Sequence, residues 1–296
     1  MSAIRFLLAA LAFALPLLAA AAQPAPDVDT IVARHIAARG GAERLRALRT
    51  LVFDQGRYEE GSYRDDGAVM MLGRPYYKLV GHPQRDGNFM EGYDGAAWEW
   101  FGEQGIVVRT THAASAALRH YADVEGPFLD WRSKGHRVEL VGPATVAGRP
   151  TWQVRLVMMD GYSTENFIDR ETWLIVATRH SAPVHAYGRP VTSETRFGDH
   201  RPVAGVLFPF RSEEVEIASG RVLNAMQWGR IEANVDIPVA WFSPPLFERT
   251  RLQAFMEQLY GQRADPQAVR WTYHWFRRSF PEEDTRNAAQ VIGYQM

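Results

Sequence analysis

The 296-residue chain contains no cysteine. That absence removes disulfides, thiolate nucleophiles, thiolate zinc ligands, iron-sulfur ligation and a thioether-linked lipid together. Also missing are a Gly-x-Ser-x-Gly elbow, a Gly-x-Gly-x-x-Gly turn, a phosphate-binding P-loop and a His-Glu-x-x-His pair, which are the commonest frames for esterases, dinucleotide and nucleotide enzymes and zinc peptidases. An excess of one charge is lacking too. With 33 Lys and Arg against 34 Asp and Glu the formal net charge is −1, without the basic surplus that counterion release from nucleic acid needs. Stability must come from a packed core, and no cofactor or metal is called for.

What is present begins with a leader. Arg5 is followed by an uncharged apolar run from Phe6 to Ala22, closing on Ala20-Ala21-Ala22 before Gln23-Pro24. This order predicts a cleavable secretion signal over 1–22 and a periplasmic mature protein that is not integral to the membrane. The run is short and Ala-rich for a hydrocarbon core of ~30 Å.

Val28, Ile31, Val32, His35 and Ile36 then fall on one helical face that ends at Gly40-Gly41, and Leu45 and Leu48 mark a second short turn. From Thr50 the period becomes two. Short extended runs at 51–53, 76–80, 98–100 and 106–108, and again at 138–140, 152–158, 164–168, 174–178, 192–197, 206–210, 213–217 and 223–228, are separated by Gly, Pro, Asn and Asp. An Ala-rich stretch from Ala113 to Trp131, broken by Gly126-Pro127, reads as a kinked helix between the two groups of strands. So many consecutive short strands, without room for crossovers, predict an α+β fold with a strongly curved antiparallel sheet wrapped over helices across 23–246. Beyond Ser243-Pro244-Pro245 the period returns to helical, with Leu252, Phe255, Met256 and Leu259 on one stripe and Asp265-Pro266 opening another helix, so 247–296 reads as an all-helical extension.

No catalytic set emerges. His180 and His185 are the closest histidine pair, and a solvated surface pair explains them better than a metal site. In the acidic cluster Glu213-Glu214-Glu216, Glu214 and Glu216 alternate with Val215 and Ile217 as the wet face of a half-buried strand does, and Arg57, Arg155 and Arg196 read as outward-facing strand arginines. The informative excess is apolar: Trp98 and Trp100 on one strand, Trp152, Val154, Leu156 and Met158 on another, with Tyr76, Phe208 and Phe210. A curved sheet lined this way encloses a filled core or a cavity for an oily ligand, and periodicity alone favours the filled core.

The run from Gly126-Pro127-Phe128-Leu129-Asp130-Trp131 to Val138-Glu139-Leu140, the stretch Val146-Ala147-Gly148-Arg149-Pro150-Thr151-Trp152, the segment Phe167-Ile168-Asp169-Arg170-Glu171-Thr172-Trp173-Leu174-Ile175 and Tyr93-Asp94-Gly95-Ala96-Ala97-Trp98 together resemble the outer-membrane lipoprotein-sorting (LolA/LolB-like) superfamily over roughly 28–241. The resemblance implies a half-open barrel closed by helices. It also implies a non-enzymatic carrier whose interior takes a lipid or lipoprotein acyl chain, with Leu118, Tyr121, Phe128 and Leu129 in a lid. The helical extension departs from a bare carrier. Val269-Arg270-Trp271-Thr272-Tyr273-His274-Trp275-Phe276 weakly resembles a tetratricopeptide-type array, which would make 247–296 a surface for a protein partner, as in an envelope sensor resembling the RseB-type stress regulators.

Overall fold

The computed structural model describes residues 26–81, 89–101, 106–109, 118–183 and 190–244. The leader, the helical extension with its 269–276 motif, and His185 lie outside them. Asp27 caps the first helix by accepting a hydrogen bond from the Thr30 backbone N–H at 2.6 Å. Helix α1 (Val28–Ala38) then buries Ile31, Val32 and His35, the face its spacing predicts. Gly40, at φ +123, turns the chain into α2 (Ala42–Ala47), which buries Leu45. A Cβ on Gly40 would fall on the Gly205 carbonyl oxygen, so this turn can only be glycine.

Fourteen strands follow: β1 (Thr50–Glu60), β2 (Tyr63–Gly73), β3 (Tyr76–Gly81), β4 (Phe89–Tyr93), β5 (Ala97–Phe101), β6 (Ile106–Arg109), β7 (Arg137–Val146), β8 (Arg149–Val157), β9 (Ser163–Asp169), β10 (Ile175–Pro183), β11 (Pro190–Val203), β12 (Val206–Val215), β13 (Val222–Gln227) and β14 (Arg230–Ala233). They form one antiparallel sheet in the order β6-β5-β4-β3-β2-β1-β13-β12-β11-β10-β9-β8-β7, with β14 on β1. Its two ends, β6 and β7, do not pair with each other, so the barrel is half open.

Curvature follows from two adjacent side chains. The His120 ring stacks on Tyr162, just ahead of β9, at 4.9 Å, while the Tyr121 ring meets Tyr77 of β3 at 5.5 Å. Those strands stand fourth and eleventh in the order, roughly 34 Å apart if the sheet were flat at ~4.8 Å per strand. The sheet must therefore wrap around the segment carrying both residues.

Inside the curve two apolar clusters fill one end. Leu45, Leu51, Phe53, Leu72, Tyr77, Leu129, Phe208 and Trp228 belong to the first. Ile31, Val32, Phe128, Val154, Leu156 and Ile168 belong to the second, under α1. The opposite, convex face is covered locally by a 3-10 turn (Val239–Phe242), whose Phe242 stacks on Tyr76 at 5.5 Å.

Three sequence expectations are revised. In the described part of the expected kinked helix, 118–121 are helical and turns continue to 135, because Gly126 and Asp130 both take positive φ. Strands β2 and β4 escape the period-two reading: β2 carries Arg64-Asp65-Asp66-Gly67 at its start, and β4 contains Gly92, where the Trp98 ring occupies the place of a Cβ. The runs at 206–210 and 213–217 join into β12, which ends at Val215.

Candidate functional site

The register defines what each face of the sheet carries. Residues directly opposite across antiparallel strands share a face, so a row runs from Leu140 through Val154, Asn166, Thr178, Thr195, Glu214 and Asn224 to Glu60. Val154 packs under α1, so the row is concave. A second row, Phe53, Met70, Leu79 and Glu91, starts from a core residue and is concave too. The inner wall is thus apolar and filled beside the helices, and turns polar toward the far ends of the strands. Between the two, Met70, Leu79 and Met226 pack against the edge of the first cluster and stay half-buried, as does Phe197. Tyr121 projects over this wall: the residue is 44% exposed, while its ring touches Tyr77 and its hydroxyl end is enclosed, so that burial, then Tyr162, Glu91 and Glu214, raise its ionisation. A side chain surrounded on three sides and still reached by solvent lines a trough.

Three carboxylates of this wall are held by neutral groups. Tyr58 Oη donates to Glu60 Oε2 at 2.9 Å, Tyr77 Oη to Glu91 Oε1 at 2.9 Å and Asn224 Nδ2 to Glu214 Oε2 at 2.6 Å. Burial pushes the Glu91 carboxyl up to about 7, against the opposing Tyr77 hydrogen bond. His180 shares the wall through its pairing with Thr164. Burial holds its ionisation below the ordinary range, opposed by Glu214, so it is neutral at pH 7.

The convex face is built on another rule. Arg57 bonds Asp66 at 2.9 Å, Arg155 bonds Glu165 at 2.7 Å, Arg211 bonds Glu213 at 2.8 Å, and Arg64 pairs with Glu59. The buried Glu194 is clasped by Arg179 and Arg196, each at 2.7 Å. The arginines read as outward-facing strand residues are so placed. Glu213 and Glu214 are parted by the pleat: Glu213 joins the solvated ladder, whereas Glu214 faces the trough. Reading Glu214 and Glu216 as a wet face therefore missed the inward aspect of Glu214, and Glu60 and Glu91 carried no sequence signal beyond strand parity.

A second hollow of about 480 Å³ opens between the 118–136 segment, the start of β3 and the turn after β8, among Arg74, Arg119, His120, Lys134, His136 and Asp160. Most of its charges satisfy one another. Lys134 bonds Asp123 at 2.7 Å and Glu125 at 3.3 Å, Arg74 bonds Glu125 at 2.9 Å, and His120 bonds Asp160 at 2.9 Å. Among the described residues no group of acids and histidines is arranged to hold a metal ion.

The expected lining residues separate into three sets. Leu118, Leu129, Phe208 and Phe210 lie in the first cluster, and Phe128, Trp152, Val154, Leu156 and Met158 in the second; all are buried by the protein's own side chains. Among the described side chains of the set, Tyr121 alone stands in the open trough. Tyr76 and Trp98 are on the convex side, where Trp98 is fully buried and its indole N–H donates to the Phe242 carbonyl at 3.0 Å. The Trp100 backbone pairs with Met90 and Val107.

No protein-family model and no curated protein matches the chain. Several solved structures are similar to it. A LolA superfamily protein from Nitrosomonas europaea is 12% identical, with a TM-score of 0.46 over 74% of this chain and 99% of its own. An outer membrane lipoprotein-sorting protein domain from Vibrio parahaemolyticus is 9% identical, with a TM-score of 0.47 over 72% of this chain and 95% of its own. A DUF1329 family protein from Desulfovibrio piger is 10% identical, with a TM-score of 0.45 over 76% of this chain and 100% of its own. At these identities the likeness concerns the course of the chain and not the chemistry of the trough.

Proposed function

We propose that the protein is a periplasmic carrier or chaperone that holds a lipid or lipoprotein acyl chain without covalent chemistry, and that the open half of the concave sheet is where the chain lies. One observation carries the reading: at the rim of the first cluster Met70, Leu79 and Met226 stay half-buried, as does Phe197, while Tyr121 is 44% exposed beside Tyr77. Each methylene moved from water onto such a surface contributes ~0.8 kcal/mol, so even a partly covered chain of a dozen carbons is extracted from water. Val154 and Leu156, both at 0% exposure, leave no room at the filled end, so the acyl chain occupies the open end. Export through the leader at 1–22 belongs to the same proposal.

The test is titration of delipidated protein with the uncharged fluorophore N-phenyl-1-naphthylamine and with a fluorescent fatty-acid analogue. Saturable binding in the micromolar range is expected, weakened at least about tenfold by Leu79→Asp with Met226→Asp, since each places a charge where apolar surface met the chain. Absence of saturable binding in the folded wild-type protein overturns the reading.

A further inference from the structure

The two faces of one sheet treat their carboxylates differently, and the difference points to a ligand. On the convex face Glu59, Asp66, Glu165, Glu194 and Glu213 each meet an arginine. On the concave face Glu60, Glu91 and Glu214 meet a tyrosine, a tyrosine and an asparagine, and form no ion pair with a basic side chain among the described residues. Among the described residues, the charges that act on the hydroxyls of Tyr77 and Tyr121 come from Glu91, Glu214 and neighbouring tyrosines. Arg119 and His120, next to Tyr121 in sequence, line the hollow with Lys134 and Asp160, where His120 bonds Asp160. The trough thus combines a half-buried apolar floor, tyrosine rings and carboxylates whose hydrogen-bond partners among the described residues are neutral.

We propose that the trough selects amphiphiles with a cationic head, an amine or quaternary ammonium, the acyl chain lying on Met70, Leu79 and Met226 and the head meeting Glu91, Glu214 and the tyrosine faces. Tyrosine rings attract such heads through their negative faces. Above pH 7, once Glu91 has ionised, a carboxylate with a neutral hydrogen-bond partner has no counter-charge in that partner, and the low-dielectric wall strengthens its attraction for a cationic head. An anionic head would meet the same carboxylates at a cost. This inference rests on the carrier reading above and adds the charge of the cargo.

The experiment displaces N-phenyl-1-naphthylamine from delipidated full-length protein at pH 8 with three amphiphiles of equal chain, each below its micelle concentration: dodecyltrimethylammonium, dodecyl maltoside and dodecyl sulfate. The cation is expected to displace at a concentration at least about tenfold below the maltoside, and the sulfate to be weakest. Glu91→Gln with Glu214→Gln should collapse the ratio between cation and maltoside toward one, whereas Glu59→Gln with Glu213→Gln on the convex face should leave that ratio as in the wild type. Equal or better displacement by the sulfate, or an unchanged ratio in a folded concave double variant, overturns the charge selection while the carrier reading stands. If the fluorophore itself does not bind, both fall together.

Discussion

Glu91 and His35 are two enclosed ionisable side chains whose effects on stability have opposite signs. The Glu91 carboxyl is raised from an ordinary 4.5 to about 7, mainly by burial. Between those values the folded protein holds a proton that the unfolded chain releases, so this contribution to stability is complete below 4.5 and is lost as pH rises to 7, by at most ~1.4 kcal/mol per pH unit. Glu91→Gln, whose amide oxygen can still accept from Tyr77, should therefore be more stable than the wild type at pH 8 and nearly equal at pH 4.5. Parallel urea midpoints for the two proteins across that range would contradict the assignment. His35 works the other way. Its Nδ1–H donates to the Trp173 carbonyl at 2.9 Å, and burial, aided by Arg39, lowers its ionisation from 6.5 to about 4. Here the unfolded chain binds the extra proton, so stability is present above 6.5 and lost as pH falls toward 4. His35→Leu should remove that acid-side decline while costing about 1–3 kcal/mol at pH 7, because the Trp173 carbonyl loses its donor; urea titrations at pH 7 and pH 5 separate the two effects.

At the scale of elements, the β9–β10 turn and the 118–136 segment tie the helices to the sheet. Asp169 is buried, and its Oδ1 accepts from the Glu171 N–H at 3.0 Å, the Thr172 N–H at 2.8 Å and the Thr172 hydroxyl at 3.0 Å. That turn presents the Trp173 carbonyl to His35 and the Trp173 ring to Arg34 of α1, 4.7 Å away. Asp169→Ala leaves three donors without their acceptor and should destabilise by about 2–4 kcal/mol in a denaturant titration, loosening α1 with it; a change under about 0.5 kcal/mol would show the turn to be held by its strands alone. This is where the sequence was most legible. The turn is legible because Asp169 and Thr172 supply the side-chain oxygens that hold it, and α1 is readable because Ile31, Val32 and His35 repeat at helical spacing. Alternation in a strand, by contrast, sorts residues into two faces without naming the inner one. Trp98 and Ala97 alternate as cleanly as Glu213 and Glu214, but the bulky Trp98 faces outward under Phe242 and the charged Glu214 faces inward. Only the strand register, set by partners far away in sequence, decides which face closes over the helices. The segment after Leu118 was misread for a local reason, since turns fixed by Lys134 and by the backbone at Gly126 and Asp130 prevail over an Ala-rich composition.

Across the whole molecule the sheet acts as a divider between a charge-balanced exterior and a concavity that is solid at one end and open at the other. A ligand lying in the open end covers Met70, Leu79, Met226 and Phe197 without displacing the clusters around Phe53 and Val154, so binding should stabilise the folded state without rearranging it. The stabilisation follows mass action: at a free concentration of 100 times Kd, a ligand that binds only the folded protein adds about 2.7 kcal/mol. For a domain of this size that is a rise of roughly 5–10 °C in the thermal midpoint. Filling the open end from within should imitate part of the effect and abolish the rest. Met226→Trp places a larger apolar side chain over the floor, so the unliganded protein should melt at or slightly above the wild-type temperature while its ligand-induced rise shrinks to a fraction of the wild-type value. An equivalent substitution at the filled end, Val154→Trp, should instead overpack the cluster under α1 and lower the midpoint, since inserted volume in a tight core costs about 1–3 kcal/mol or more. Melting curves of both variants with and without dodecyl maltoside locate the cavity: a full ligand-induced rise in Met226→Trp would place the guest elsewhere, and an unharmed Val154→Trp would show that the hollow extends beneath α1.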